Sequence, residues 1–504
     1  MHALTDNGPA PACPAPFNLA RYVMAAGKRT PDKIALQVLG VTRAERWSFG
    51  ALTAALRGVG TGLLDQGLKP GDRVLLRLGN TVDFPLAFLG ALAAGLVPVP
   101  SSAQLTAPEI TAMAAQIDPA LIIGAPGIAL PDHRAPVIPA ARFKAWRDLP
   151  PCAWHLGDPN RLGYLIFTSG TSGQPRAVMH AHRAVWARRM MWQDWYGLTP
   201  DDRLLHAGAF NWTYTLGTGL LDPWAIGASA LIPAAGTDPA QLPLLLKRFD
   251  ATIFAAAPGV YRKMLKAPML PMPRLRHGLS AGEKLPPATR DAWHAATGTP
   301  IYEALGMSEV STYVSQGPNR PGTPECSGHA QTGRRIAVLG ADAAPVPRGI
   351  AGELAVGADD PGLFLGYWRQ QAETRARFAG GWFLTGDTAL MTQDGAIRYL
   401  GRGDDMMNAG GYRVSPLEVE AAFEPCPGVA ECAAVALPVR DAVSVIALFY
   451  VPASPAPSHD ALKAHATANL ARYKHPRLFV AVDCLPKNAN HKVNRTSLRQ
   501  TWKG

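Results

Sequence analysis

The sequence lacks most of the features that announce a fold or a chemistry outright. Its 504 residues include six cysteines (Cys13, Cys152, Cys326, Cys426, Cys432 and Cys484), none in a CxxC pair and none spaced with histidine as a zinc site requires. With no signal peptide evident, they read as reduced thiols in a cytoplasmic protein. No uninterrupted apolar run approaches the roughly 20 residues of a membrane span. The most apolar stretch, PLAFLGALAAGLVPVP at 85–100, is broken by Gly and Pro and reads as a buried helix. No five like charges stand together, and no basic stripe is interleaved with aromatics, so a nucleic-acid binder is disfavoured. Gly 49 and Pro 46 are plentiful but aperiodic, and 48% of residues are hydrophobic, which excludes collagen-like, mucin-like and coiled-coil chains.

What is present is a basic balance, Lys+Arg 49 against Asp+Glu 38 for a net charge of +11. It suits an enzyme that handles anionic small molecules. The surplus concentrates at one end: between 461 and 504, nine Lys/Arg face one acid, Asp483. Up to about residue 360, helix-like and strand-like runs alternate, as in ALTAALRGVGTGLLDQG (51–67) followed by RVLLRL (73–78). This predicts an α/β fold. ATIFAAAP (251–258) reads as a buried strand, with a helix opening at Pro258. After 352 come short strands and turns. A compact α+β segment then begins, with helix SPLEVEAAF (415–423), strands AECAAVAL (430–437) and SVIALFYV (444–451), and a helix at 459–471. The expected division is a large domain over 1–403 and a small one over 404–504.

Five segments carry candidate chemistry. LGYLIFTSGTSGQPR (162–176) runs a buried strand into Thr168, Ser169, Gly170, Thr171, Ser172 and Gly173. Hydroxyls and bare backbone N–H groups at that density suit a phosphate, although a solvated Ser/Gly turn is the alternative. It is not a Walker loop, because Pro175-Arg176 stands where GK[ST] belongs. YEALGMSE (302–309) delivers Glu309, a carboxylate able to hold Mg²⁺ or simply to cap a helix. WFLTGD (382–387) places Asp387 after a tight turn at a strand end, to bond ribose hydroxyls or to serve the turn. GRGDDMMNAGGYRVSPLEVE (401–420) marks the domain boundary, and LPKNANHKVNR (485–495) presents Lys492 on a basic turn, where a solvated lysine is the ordinary reading. His180 and His182 have H-x-H spacing but no carboxylate or cysteine nearby, and read as structural. Trp212 and Tyr214 fall on one face of a strand by period two, facing a core or a substrate pocket.

Taken in order, these segments resemble the adenylate-forming superfamily of acyl-CoA synthetases, adenylation domains and luciferases over residues 20 to 500. The resemblance implies a large domain of mixed sheets and helices with a small mobile α+β C-terminal domain. It implies ATP, Mg²⁺ and coenzyme A as reactants and cofactor. By resemblance, Thr168, Ser169, Gly170, Thr171, Ser172 and Gly173 hold the ATP phosphates and Glu309 engages Mg²⁺. Asp387 and Arg402 meet the ribose, and Arg413 is a second phosphate-binding arginine. Gly282, Glu303, Ala304, Leu305, Gly306 and Ser308 complete the nucleotide site. Asp404 resembles the hinge, Lys492 the lysine that swings in for adenylation, and Gly410, Gly411 and Tyr412 the coenzyme A contact. Trp212, Thr213, Ala281, Gly282 and Gly306 would line the acyl pocket. SAGEKLP (280–286), DPWAIGASAL (222–231) and the segment bearing Trp212 are similar to medium-chain and benzoate or aryl-CoA ligases.

A Trp wall favours a compact ring or a short chain. The expected activity is therefore an AMP-forming ligase joining a medium-chain, alicyclic or aromatic acid to coenzyme A. Transfer to a carrier protein and a non-catalytic nucleotide-binding scaffold are the alternatives; no carrier domain follows, and a homodimer is left open. Four residues depart from the family pattern: Arg176-Ala177 replaces Lys-Gly, Ser308 replaces Thr, and His491 replaces the Gly before the lysine. An arginine keeps the charge but turns a compact ammonium into a planar fork.

Overall fold

Short, continuously apolar segments bounded by turns build strands covered on both faces. In this computed structural model six of them run parallel, in the order Ile34–Leu39, Ser229–Pro233, Arg203–His206, Ile253–Ala256, His277–Ala281 and Ile301–Met307. The structure describes all residues except 169–174, 283, 284, 286, 324, 403–406, 410, 411, 415, 441, 442, 487–492, 494, 503 and 504. After Met307 only three residues precede the next strand, too few for a parallel crossover, so the sheet turns antiparallel there. Ser311–Ser315, Gly328–Ala330, Ala396–Arg402, Trp382–Met391, Ala351–Gly357, Arg335–Leu339 and Leu4–Asp6 continue it in that order. The seam between the parallel and antiparallel halves, at Ile301–Met307 and Ser311–Ser315, is where the pocket described below opens.

A second, parallel sheet contains Val97–Pro100, Arg73–Arg77, Leu121–Gly124 and Val137–Pro139. Beside it, helix Phe49–Leu64 packs on Asp83–Ala93. Their approach is set by glycine: a Cβ on Gly90 would lie 2.6 Å from the Leu56 carbonyl oxygen. The apolar run at 85–100 is thus not one helix. The helix ends at Ala93 and Gly95 takes φ +83, which releases the chain into strand Val97–Pro100. A third, antiparallel sheet pairs Leu162–Thr168 with Arg176–Ala181 and the latter with Gly366–Tyr367. Among the described residues no helix is long and apolar enough to cross a membrane.

The smaller C-terminal domain has its own core of Met407, Val414, Val419, Phe423, Ile446, Leu448, Leu462 and Phe479. Its long hairpin, Val429–Arg440 with Val443–Pro452, accepts Leu478–Ala481 as a parallel third strand, and helices Pro416–Phe423 and His459–Asn469 contribute to that core. The expected boundary at 403/404 falls outside the described residues.

Two local expectations change. Trp212 and Tyr214 are not on a strand: Trp212 precedes a helical turn, and Tyr214 leads directly into the wide helical segment Thr215–Leu221. Two aromatics at i, i+2 are too short a pattern to fix a period. Asp387 is not past a strand end but midway along Trp382–Met391, where Gly386 at φ +73 and a register shift beyond Thr388 kink the strand without ending it.

Candidate active site

Strand Leu162–Thr168 delivers Thr168 to the rim of a cavity of about 240 Å³, and register pairs Thr168 with Arg176 across the hairpin. The hairpin tip, with Ser169, Gly170, Thr171, Ser172 and Gly173, lies outside the described residues. The same cavity is lined by Trp212, Thr213, Ala281, Gly282, Glu303, Ala304, Leu305, Gly306, Ser308, Glu309, Asp387 and Tyr412. Hydroxyl and carboxylate groups expected at a nucleotide therefore share one space with the expected acyl wall. Arg402 stands opposite Asp387 in the strand register, and Arg413 lies on strand Tyr412–Val414. Asp404, Gly410, Gly411, His491 and Lys492 fall outside the described residues.

Glu309 sits in the turn after Met307 and is buried. The Tyr367 hydroxyl donates to its Oε1 at 2.8 Å, and the Arg176 guanidinium lies 5.2 Å from the centroid of that tyrosine ring. Burial first, then the Glu309 charge, pushes the Tyr367 phenol well above its ordinary pKa, so it remains a donor. A buried carboxylate bordering the cavity is the kind of hard oxygen donor that Mg²⁺ takes alongside substrate phosphates. Glu303 differs: its carboxylate accepts from Arg290 at 3.1 Å, and its N–H donates to Gln316 Oε1 at 3.2 Å, so it shapes the strand as well as lining the cavity. Gly306 is required where it stands, because a Cβ there would lie 2.6 Å from the Ser311 carbonyl oxygen.

The C-terminal domain closes over this cavity with Tyr412, expected at coenzyme A, and with Tyr473 and Lys474, which the sequence did not single out. Tyr412 stacks on Trp212, with centroids 6.0 Å apart, and on Tyr473 at 4.0 Å. Lys474, also lining the cavity, donates to Glu109 Oε1 at 3.1 Å and to Glu418 Oε1 at 3.2 Å. Burial alone would lower the Lys474 pKa, but Tyr473, Glu418 and Glu109 override it and raise it, so the ammonium is held charged. RYKHPR shows only a basic run in sequence; its value comes from where the fold sets Lys474.

His180 and His182 are buried. His180 stacks on Tyr164 with centroids 4.5 Å apart, and His182 Nδ1 accepts the Leu19 N–H at 3.1 Å. Burial first, with Arg188 and Arg183 beside His180 and Arg161 beside His182, takes each down to about 3.

Residues 23–368 match the family described as AMP-binding enzyme, and 418–492 match the AMP-binding enzyme C-terminal domain. The chain is 29% identical to a 3-hydroxybenzoate–CoA ligase of Aromatoleum sp. (strain CIB), over 90% of this chain and 92% of that one. It is 31% identical to a benzoate–CoA ligase of Thauera aromatica, over 95% and 92%. A benzoate CoA ligase structure from Burkholderia xenovorans LB400 superposes with a TM-score of 0.71 at 27% identity, covering 96% of this chain and 100% of that one.

Proposed function

Because this chain belongs to the AMP-binding enzyme family, we propose that it is an AMP-forming carboxylate–CoA ligase acting on a compact aromatic acid. The supporting observation is the convergence of Thr168, Glu309 and Asp387 with Trp212, Thr213, Ala281 and Gly306 around one cavity. The volume, about 240 Å³, is shared by the reacting groups of nucleotide and acid, as an in-line transfer needs.

In the first half-reaction a carboxylate oxygen attacks the α-phosphorus of ATP and pyrophosphate leaves, giving an acyl-adenylate. Charge develops on phosphoryl oxygens, so catalysis is placement of donors and cations. Thr168 and the loop after it would hold the phosphates. Glu309, steadied by Tyr367, would hold Mg²⁺, which when bound neutralises charge on the departing pyrophosphate. Asp387, with Arg402 beside it in register, would fix the ribose, and Lys492 would bridge carboxylate and α-phosphate. In the second half-reaction the thiol of coenzyme A attacks the acyl carbonyl and AMP leaves. Residues 410–412 would meet the incoming thiol's carrier, after a rotation about Asp404. A cytoplasmic location belongs to the same reading.

The test is pyrophosphate release with ATP and Mg²⁺ across alkanoates from acetate to dodecanoate, cyclohexanecarboxylate, benzoate and hydroxybenzoates, each with and without coenzyme A. Thioester formed with aromatic acids is the expected result. Pyrophosphate release that coenzyme A leaves unchanged, with no thioester, would assign the acyl group to another acceptor.

A further inference from the structure

Thr213, Ser308 and Ser311 line two spaces at once: the main cavity and a chamber of about 20 Å³ behind it. The chamber is also walled by Tyr164, His180 and Arg188. A volume of that size admits one water-sized group, and the surroundings are polar enough to hold one. His180 is 4% exposed, and its Nε2 has no hydrogen-bond partner. With its pKa near 3 the ring is neutral at pH 7 and offers either a donor or a lone pair.

The donor that fixes Ser311 comes from a buried network. Arg188 engages Asp222 through Nε at 2.9 Å and Nη2 at 2.6 Å, and its Nη1 donates to Ser311 Oγ. With that oxygen already accepting, the Ser311 O–H has its proton to give elsewhere. Ser311 itself takes φ +69, a region that costs a non-glycine residue conformational energy. Across the seam Ser311 pairs with Met307, and the adjoining Gly306, paired with Thr312, lacks the side chain that would meet the Ser311 carbonyl oxygen. An acid whose ring reached this chamber with a purely apolar edge would leave the Ser311 proton and His180 Nε2 without a partner on the substrate.

We propose that Ser311, set by Arg188, and His180 read a hydroxyl substituent on the acid, making a ring-hydroxylated aromatic acid the preferred substrate over its unsubstituted or methylated counterpart. A hydroxyl both accepts and donates, so it satisfies Ser311 O–H and His180 Nε2 in either tautomer. This inference rests on the ligase reading above.

The experiment measures kcat/KM for thioester formation with the three hydroxybenzoates, the three toluates and benzoate. The methyl group occupies the hydroxyl's volume without its hydrogen bonds. The native enzyme is expected to prefer at least one hydroxybenzoate over its toluate isostere by about tenfold or more, since buried polar groups left unpaired discriminate strongly. Both Ser311→Ala and Ser311→Gly should bring that ratio within about threefold of one. The glycine variant relieves the strained backbone, so a fault of folding in the alanine variant alone does not decide the matter. A ratio near one in the native enzyme, or a ratio kept by both variants, would overturn the role of Ser311. Failure to form a thioester with any aromatic or aliphatic acid would overturn the ligase reading beneath it.

Discussion

Tyr367 places its hydroxyl 2.8 Å from Glu309 Oε1 while its ring lies under the Arg176 guanidinium. The two residues are 58 positions apart, Tyr367 on a strand of the small antiparallel sheet and Glu309 in a turn of the large one, so the carboxylate's orientation is set by a neighbour that no local motif contains. Tyr367→Phe keeps the ring and removes the donor. A hydrogen bond to a charged group contributes about 1.5–3 kcal/mol, so adenylate formation should fall roughly 10- to 100-fold. Pyrophosphate exchange at varied Mg²⁺ checks this; an unchanged rate would leave Tyr367 without influence on Glu309.

Lys474 joins Glu109 on the large domain to Glu418 on the small one. It is almost wholly buried, and Glu109 Oε2 already accepts from Thr106 N–H and Oγ1 at 2.9 Å. Breaking such a set leaves buried charge uncompensated, which costs about 3–5 kcal/mol. Lys474→Ala should therefore lower the denaturant midpoint clearly, and Lys474→Met combined with Glu109→Gln and Glu418→Gln should recover much of the loss.

Acid should destabilise the protein through its buried histidines. His180, His182 and His206 are each held near pKa 3 in the fold, burial being the main cause, against about 6.5 in an unfolded chain. Their folded pKa is the lower one, so the unfolded state binds protons first as pH falls. The stability of the neutral buried rings is complete above 6.5 and lost between 6.5 and 3, at up to about 1.4 kcal/mol per pH unit for each ring. Chemical denaturation at pH 7, 6 and 5 should show this slope. A flat profile would mean that the rings gain protons without unfolding.

Trp212 borders the cavity, with Tyr214 edge-on beside it at 5.4 Å. Trp212→Ala should enlarge the acyl wall, shifting acceptance toward longer acids and lowering kcat/KM for benzoates at least about tenfold. The panel of acids used above reads both changes.

Much of this arrangement was legible in the sequence. SGTSGQPR and YEALGMSE each gave a strand with chemistry at or near its end, WFLTGD gave the acid but not its place midway along a strand, and the structure brings Thr168, Glu309 and Asp387 to one cavity. Legibility failed where local pattern was short or where tertiary partners decide. The i, i+2 spacing of Trp212 and Tyr214 suggested a strand; Tyr214 instead leads into the wide helical segment, with its hydroxyl donating to the Leu279 carbonyl at 3.1 Å. Lys474, Tyr367 and Ser311 carry no local signal, because each matters through a partner more than 50 residues away in sequence.

The stacking of Tyr412 on Trp212 has a consequence for how selectivity is inherited. The cavity wall at Trp212 is two layers deep, and its second layer is encoded some 200 residues downstream, on the other domain. Grafting a relative's C-terminal domain onto this chain would exchange the backing of Trp212 while every residue of the inner wall stayed native. Acid preference in such a hybrid would then travel partly with the graft.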